Sequence, residues 1–341
     1  MWEAAGDFSE GLAAVMDSTY AWGFIDKTGR VVIPCTWEHA EAFSEGIAPV
    51  MDENNMYGFV DKTGKVVIPC TLDDWWNDAF ELPCKFHEGM LSIRNGAGKF
   101  GYLDKTGQQA IPCTWQFGGN FFEGLAAAQN DEDRYGFIDK QGQQAIPFTW
   151  QWAERFSEGL ASVQNDDYKC GFIDKQGTLV IPCIWEWTGN FSEGLAWVHA
   201  SEEECGFIDK TGKVVIPGRW NHADDFCDGL SRVWNDEWEF GFIDKAGKQV
   251  IPCKWKWNNE ARAEFVEGLL VVQDRSLKYG FIDRQGNEVI PCTWEYASSF
   301  SSGLASVMDA DEKFGFIDKT GKEVIPRTWK AASDFSDDVN L

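Results

Sequence analysis

The heptapeptide Gly-Phe-Ile-Asp-Lys-Thr-Gly at 23–29 returns in close variants eight more times, and this recurrence restricts the fold more than any other feature. Aligned on the glycine of Gly-Phe, the copies fall at Gly23, Gly58, Gly101, Gly136, Gly171, Gly206, Gly241, Gly280 and Gly315, in steps of 35, 43, 35, 35, 35, 35, 39 and 35 residues. Periods of this size are the signature of solenoids and propellers. A chain of 341 residues also exceeds the size at which one hydrophobic core keeps growing. The expectation is a single repeat array over 1–341.

One unit shows what is repeated. In Phe156 to Trp185, Leu160 to Val163 reads as a first strand, Cys170 to Ile173 as a second and the β-branched Thr178 to Ile181 as a third. Phe156, Leu160, Val163, Phe172, Ile173, Val180, Ile181 and Trp185 are its core candidates. Between the second and third strands sits Asp-Lys-x-Gly. An aspartate opening a type I turn accepts the backbone N–H two residues on, and a glycine in fourth place takes the left-handed conformation at little cost. The turn aspartates are Asp26, Asp61, Asp104, Asp139, Asp174, Asp209, Asp244, Asp283 and Asp318. The turn glycines are Gly29, Gly64, Gly107, Gly142, Gly177, Gly212, Gly247, Gly286 and Gly321. The proline of Val-Ile-Pro has no N–H for a ladder, so it is expected to stop the third strand.

The spacing is as regular as the residues. Twelve residues separate the glycine of Phe-x-x-Gly from that of Gly-Phe in every unit, and eleven more lead to the proline. All length variation falls after the proline, so a fixed meander is joined by a tolerant linker. Burying eight apolar side chains contributes about 1.5–3 kcal/mol each, while ordering some thirty-five residues costs about 1–2 kcal/mol apiece. A lone unit therefore needs its neighbours. The tryptophan after the proline, present in eight of nine units with Leu72 in the other, is assigned to that contact. The fold expected is all-β, nine three-stranded antiparallel meanders stacked as an open β-solenoid or superhelix. A closed β-propeller is the alternative.

The run Phe-Ser-Glu-Gly-Leu-Ala, then aromatic-Gly-Phe-Ile-Asp-Lys-x-Gly, then Val-Ile-Pro resembles the WG (KWG) repeat of bacterial proteins, over Phe8 to Phe335. The literal Trp-Gly pair occurs only at Trp22-Gly23. The same slot elsewhere holds Tyr57, Phe100, Tyr135, Cys170, Cys205, Phe240, Tyr279 and Phe314. The resemblance implies a bacterial origin, an interaction role and no general catalytic activity.

Charge narrows the partners. Fifty-five acidic against thirty basic residues leave a net charge of −25, which repels nucleic acid and anionic lipid. No apolar run approaches the length needed to span a bilayer, and no basic region followed by an apolar stretch opens the chain. The location expected is the bacterial cytoplasm, or the cell surface or exterior if a leader precedes this sequence.

No cofactor or metal is expected. Four histidines are scattered, and His39 and His222 share one slot that reads as loop. Ten cysteines in a chain that is 44% apolar read as reduced, buried thiols rather than a disulfide framework. Cys170 and Cys205 occupy matching slots, and Cys84 is the thiol expected to be exposed.

Two features point to recognition. The seven residues between first and second strands keep their length while changing their letters, and their acids, Asp131, Glu132, Asp133, Asp166, Asp167, Glu202, Glu203, Glu204, Asp236 and Glu237, are expected to line one edge. The linker insertions bring Asp73, Asp74, Trp75 and Trp76, and later Trp257, to the surface. These residues are the candidate contacts of a non-catalytic scaffold that binds another protein, with a glycan as the alternative ligand and an enzyme as the third reading.

Overall fold

The computed structural model describes residues 4–5, 9–26, 28–72, 85–200, 204–256, 265–301 and 303–329. Every regular element among them is a β-strand. Residue contacts divide the chain into two compact halves, Met1–Cys183 and Ile184–Phe335, and the same unit plan recurs in each.

In the fifth unit Leu160–Gln164, Cys170–Asp174 and Leu179–Trp185 form the expected antiparallel meander. A further strand, Trp152–Ser157, precedes them and pairs with Leu160–Gln164. Its counterparts are the two-residue strands His39–Ala40, Phe117–Gly118, Trp187–Thr188, His222–Ala223 and Tyr296–Ala297. The linker thus contributes an edge strand in addition to the three strands expected, and most sheets have four strands. Lys256 pairs with Gln273, joining two consecutive sheets of the second half into one of seven strands. Among the described residues no sheet closes into a barrel, and within each half the sheets succeed one another as in an open repeat solenoid.

The proline does not end the third strand. Val31–Trp37 runs straight through Pro34, as do its counterparts in the other units. The register explains this: Phe24 pairs with Ile33 and Trp22 with Trp37, so three residues bulge opposite Gly23. A bulge is where a missing N–H goes unnoticed. It also explains the glycine, since a Cβ on Gly23 would lie 2.5 Å from the Ile33 carbonyl oxygen.

Of the eight core candidates in the fifth unit, seven are buried and Val180 is 42% exposed. Alternation along the third strand turns Ile181 inward and Val180 outward. The core itself is shared between units. Phe24 of one unit meets Phe43 of the next with ring centroids 4.8 Å apart, and Phe137–Phe156, Phe207–Phe226 and Phe281–Phe300 repeat the contact at 4.7 to 4.9 Å. The turn glycine joins in: a Cβ on Gly142 would lie 2.8 Å from Cγ2 of Ile111 in the preceding unit. The post-proline tryptophan also makes an inter-unit contact. Trp115 lies flat on Phe148 of the following unit, centroids 5.0 Å apart and planes 15° from parallel.

The cysteines at the post-proline slot, Cys35, Cys70, Cys113, Cys183, Cys253 and Cys292, are half-buried, because the bulge holds them at the sheet margin. Cys170 and Cys205 are buried, and all the described cysteines are free thiols. Burial pushes the Cys205 thiol up to about 12 and that of Cys253 to about 11. Cys227 is exposed, while Cys84 lies outside the described residues.

Candidate functional site

The two ends of the meander are built differently. At one end lie the Asp-Lys-x-Gly turns. In a representative turn Asp61 Oδ1 accepts the N–H of Thr63 at 2.8 Å, its hydroxyl at 2.6 Å and the N–H of Lys65 at 3.1 Å. Gly64, at φ 83°, donates its N–H to the Asp61 carbonyl at 2.9 Å. The hydrogen bond from the Thr63 hydroxyl, with the two backbone N–H groups, holds the Asp61 carboxyl below its ordinary value. The lysine inside the turn has a task that turn chemistry does not reveal. Lys62 Nζ donates to the carbonyl of Glu10 in the preceding unit at 2.9 Å and pairs with its carboxylate at 3.1 Å. The same carboxylate accepts the N–H of Gly46 at 3.0 Å.

This clasp recurs as Glu45–Lys105, Glu88–Lys140 and Glu123–Lys175 in the first half, and as Glu193–Lys245 and Glu267–Lys319 in the second, at 2.7 to 3.1 Å. Each clasp acid sits at positive φ, 51–54°, in a two-residue hairpin where asparagine is usually preferred. That end of every unit is committed to holding the array together.

At the other end are the hairpin tips. Here the variable segment is a second set of side-chain-capped turns. Asn130 Oδ1 accepts the N–H groups of Glu132 at 3.0 Å and Arg134 at 2.9 Å, and Asp52, Asn95, Asn165, Asn235, Asp274 and Asp309 do the same in their units. Three residues further on the backbone turns left-handed, with Asp133 at φ 57°, Tyr168 at 59°, Trp238 at 54° and Leu277 at 61°.

The candidate acids divide into two groups. Asp131 is bonded to Lys99 of the preceding unit and to Gln116 at 3.1 Å, and Asp166 likewise to Arg134 and to Gln151 at 3.0 Å. The Lys99 and Arg134 cations hold these two carboxyls below their ordinary values. One joint reverses the signs: buried Glu239 accepts from Arg275 at 2.7 and 2.9 Å, and Arg275 also reaches Glu237 at 3.0 Å. These acids join units. Glu132, Asp133, Asp167, Glu204 and Asp236 instead lie exposed on the tips. Glu202, Glu203, Asp73, Asp74, Trp75, Trp76 and Trp257 lie outside the described residues.

Just beneath the tips, a row of residues crosses each sheet. In the fourth unit it runs Phe117, Gln129, Tyr135, Trp150, and in the sixth Trp187, His199, Cys205, Trp220. In the first half, rings of successive rows meet at a tilt of about 50° as Phe100, Phe117, Tyr135 and Trp152, with centroids 4.9 to 5.9 Å apart. Tyr279, Tyr296 and Phe314 repeat this in the second half at 5.8 and 5.9 Å. In the sixth unit this row carries Cys205 in the ring slot, as the fifth unit carries Cys170, and the rings beside it are Trp197 and His199, which meet His222 at 5.2 and 6.0 Å. A recess of about 370 Å³ opens there, lined by Trp187, Trp197, His199 and His222.

Comparison with known proteins agrees with this unit plan. The model of the WG containing repeat family matches residues 22–55, 57–77, 100–132, 135–168, 171–198, 206–236, 240–276, 279–312 and 314–339. The chain belongs to the WG-repeat family. No curated protein matches it significantly. Similar solved structures include the computationally designed Ika8 protein, 11% identical, covering 83% of this chain and 96% of that one at a TM-score of 0.43. BamB from Moraxella catarrhalis is 11% identical, covering 73% and 88% at 0.42, and PorZ of Porphyromonas gingivalis is 11% identical, covering 96% and 52% at 0.37.

Within the WG units the histidines are not loop residues. His39 and His222 lie on the short first strands, and burial in each case holds the imidazole below its ordinary value, reinforced at His222 by neighbouring His199 and Arg232. Among the described residues no group of three or more His, Cys, Asp or Glu is placed to hold a metal ion. The recess is not legible in any single segment, because its lining residues come from different slots of two consecutive units. Column-by-column comparison of the WG units contains the signal: Trp197 stands where six other units have the small residues Ala14, Pro49, Ser92, Ala127, Ser162 and Ser306 and the remaining two have Arg232 and Val271.

Proposed function

We propose that this WG-repeat array is a non-catalytic scaffold that binds another protein along its hairpin-tip edge. The observation that carries the reading is the pairing of a rigid backbone with side chains that packing does not require. Side-chain caps hold the tips that open on Asp or Asn in one conformation, yet Tyr168 and Trp238 place large rings, 67% and 63% exposed, at left-handed positions that suit glycine or asparagine. A bulky residue that strains the backbone and returns no burial is characteristic of a contact surface, where tyrosine and tryptophan are favoured. The exposed acids Asp167 and Asp236 flank these rings and suit a basic partner, while Glu237 is already paired with Arg275. The insertion residues Asp73, Asp74, Trp75, Trp76 and Trp257 are proposed as further contacts of the same kind, from their chemistry alone.

Affinity capture with the full chain tests this. A partner should be retained at low salt and released as ionic strength rises. Trp238→Gly and Tyr168→Gly should weaken capture while leaving the thermal midpoint unchanged or raised, because glycine relieves the backbone. Capture indifferent to both substitutions and to salt overturns the proposal.

A further inference from the structure

The sixth unit departs from its neighbours in several slots that meet at one place. Cys205, like Cys170 of the fifth unit, stands where the other seven units have a ring, and it is fully buried. Trp197 replaces a small residue, and the facing slot is Gly189, whose N–H donates to the Trp197 carbonyl at 2.9 Å. A Cβ on Gly189 would lie 2.1 Å from Trp197 Nε1, so the glycine is what admits the indole. His199 ends the same strand, and the Trp197 ring meets His199 at 5.6 Å and His222 at 5.2 Å, edge to face in both cases. Trp187 closes the recess on the outer side with 61% of its surface exposed.

We propose that the recess bounded by Trp187, Trp197, His199 and His222 binds a neutral pyranose unit of a glycan. An exposed indole face accepts the C–H face of a sugar ring, and imidazole edges offer hydrogen-bond partners to hydroxyls. Charged ligands fit less well. Among the described residues no carboxylate, lysine or arginine lines the recess, and Arg232 and Asp224 beside His222 are engaged with each other at 2.6 and 2.8 Å. The net charge of −25 further disfavours anions. Mostly aromatic walls with a few polar groups are the usual make-up of a small-molecule site. This surface is distinct from the tip residues Tyr168 and Trp238, so loss of one activity need not accompany loss of the other.

The test is calorimetric titration of the full chain with cellotetraose, maltotetraose and N-acetylated chitotetraose. At least one should bind and quench tryptophan fluorescence. Trp187→Ala should weaken that binding at least tenfold with an unchanged thermal midpoint, because the side chain is exposed. Trp238→Ala should leave it intact. No binding of any of the three sugars at millimolar concentration overturns the proposal, and so does binding that survives Trp187→Ala.

Discussion

The carboxylate of Asp228 meets the guanidinium of Arg284 at 2.7 Å across the joint between two consecutive units, where the other described clasps pair a glutamate with a lysine. The acid is one methylene shorter and the base is longer, so the span is conserved while both partners change. Arg284 also donates to the Asp228 carbonyl at 3.1 Å, as the lysines do to theirs. The internal repeats thus carry their own evidence that this pair is a matched inter-unit contact rather than two independent surface charges.

A double-mutant cycle should show that matching. Arg284→Lys leaves a short base opposite a short acid and is expected to destabilise by about 0.2–1 kcal/mol, the range for exposed pairs. Asp228→Glu combined with Arg284→Lys recreates the common clasp and should recover most of the loss. Urea unfolding of the four proteins checks this, and strict additivity would show that the two residues do not interact.

Two glycines at positive φ separate backbone strain from packing. Gly159, at φ 86°, has open space around a built Cβ, whereas Gly142, at φ 74°, faces Ile111 of the preceding unit. Gly159→Ala should cost about 1–2 kcal/mol from the left-handed backbone alone. Gly142→Ala adds overpacking of about 1–3 kcal/mol. Equal losses in chemical denaturation would remove the turn glycine from the inter-unit contact.

Acid should loosen the Asp-Lys-x-Gly turns. The carboxyls of Asp61, Asp104, Asp209 and Asp318 lie below the ordinary 3.8, chiefly through the threonine hydroxyls that donate to them. A carboxyl depressed by folding contributes stability above its unfolded value, and that contribution is lost as pH falls through the folded value. Thermal midpoints should therefore decline below about pH 4. Asp104→Asn should flatten that decline, since a neutral amide accepts the same N–H bonds, as Asn130 does on the tips. Thr106→Ala should raise the Asp104 titration midpoint seen by NMR.

The thiols should separate by burial. At pH 8 Cys227 should react first among the described thiols with an aromatic disulfide reagent, and Cys227→Ser should remove its contribution to the fast phase. Cys205 and Cys292, each raised to about 12 with burial the leading cause, should react only after unfolding. Rapid native labelling of Cys205 would contradict its place in the core.

A bearing of the tertiary structure on charge is visible at Glu239 and Arg275. In the sequence they read as one more acid and one more base. In space they reverse the polarity used at Lys99–Asp131 and Arg134–Asp166, which gives that joint a different charge code from those two. Opposite charges at a joint favour its own partner and penalise a shifted one.

The repeat period, the three long strands, the Asp-x-x-Gly turns and seven of eight core positions in the fifth unit were all legible in the chain. Each depends on local steric preference or on alternation along a strand, and repetition averages out the noise of any one copy. Three things were decided only by tertiary structure. Pro34 continues a strand because Gly23 accepts a bulge opposite it, Lys62 reaches back to Glu10, and Trp197 and His199 meet His222 beside the exposed Trp187. All three are relations between residues that a linear pattern shows as separate, and the distances that give them meaning arise only when neighbouring sheets pack.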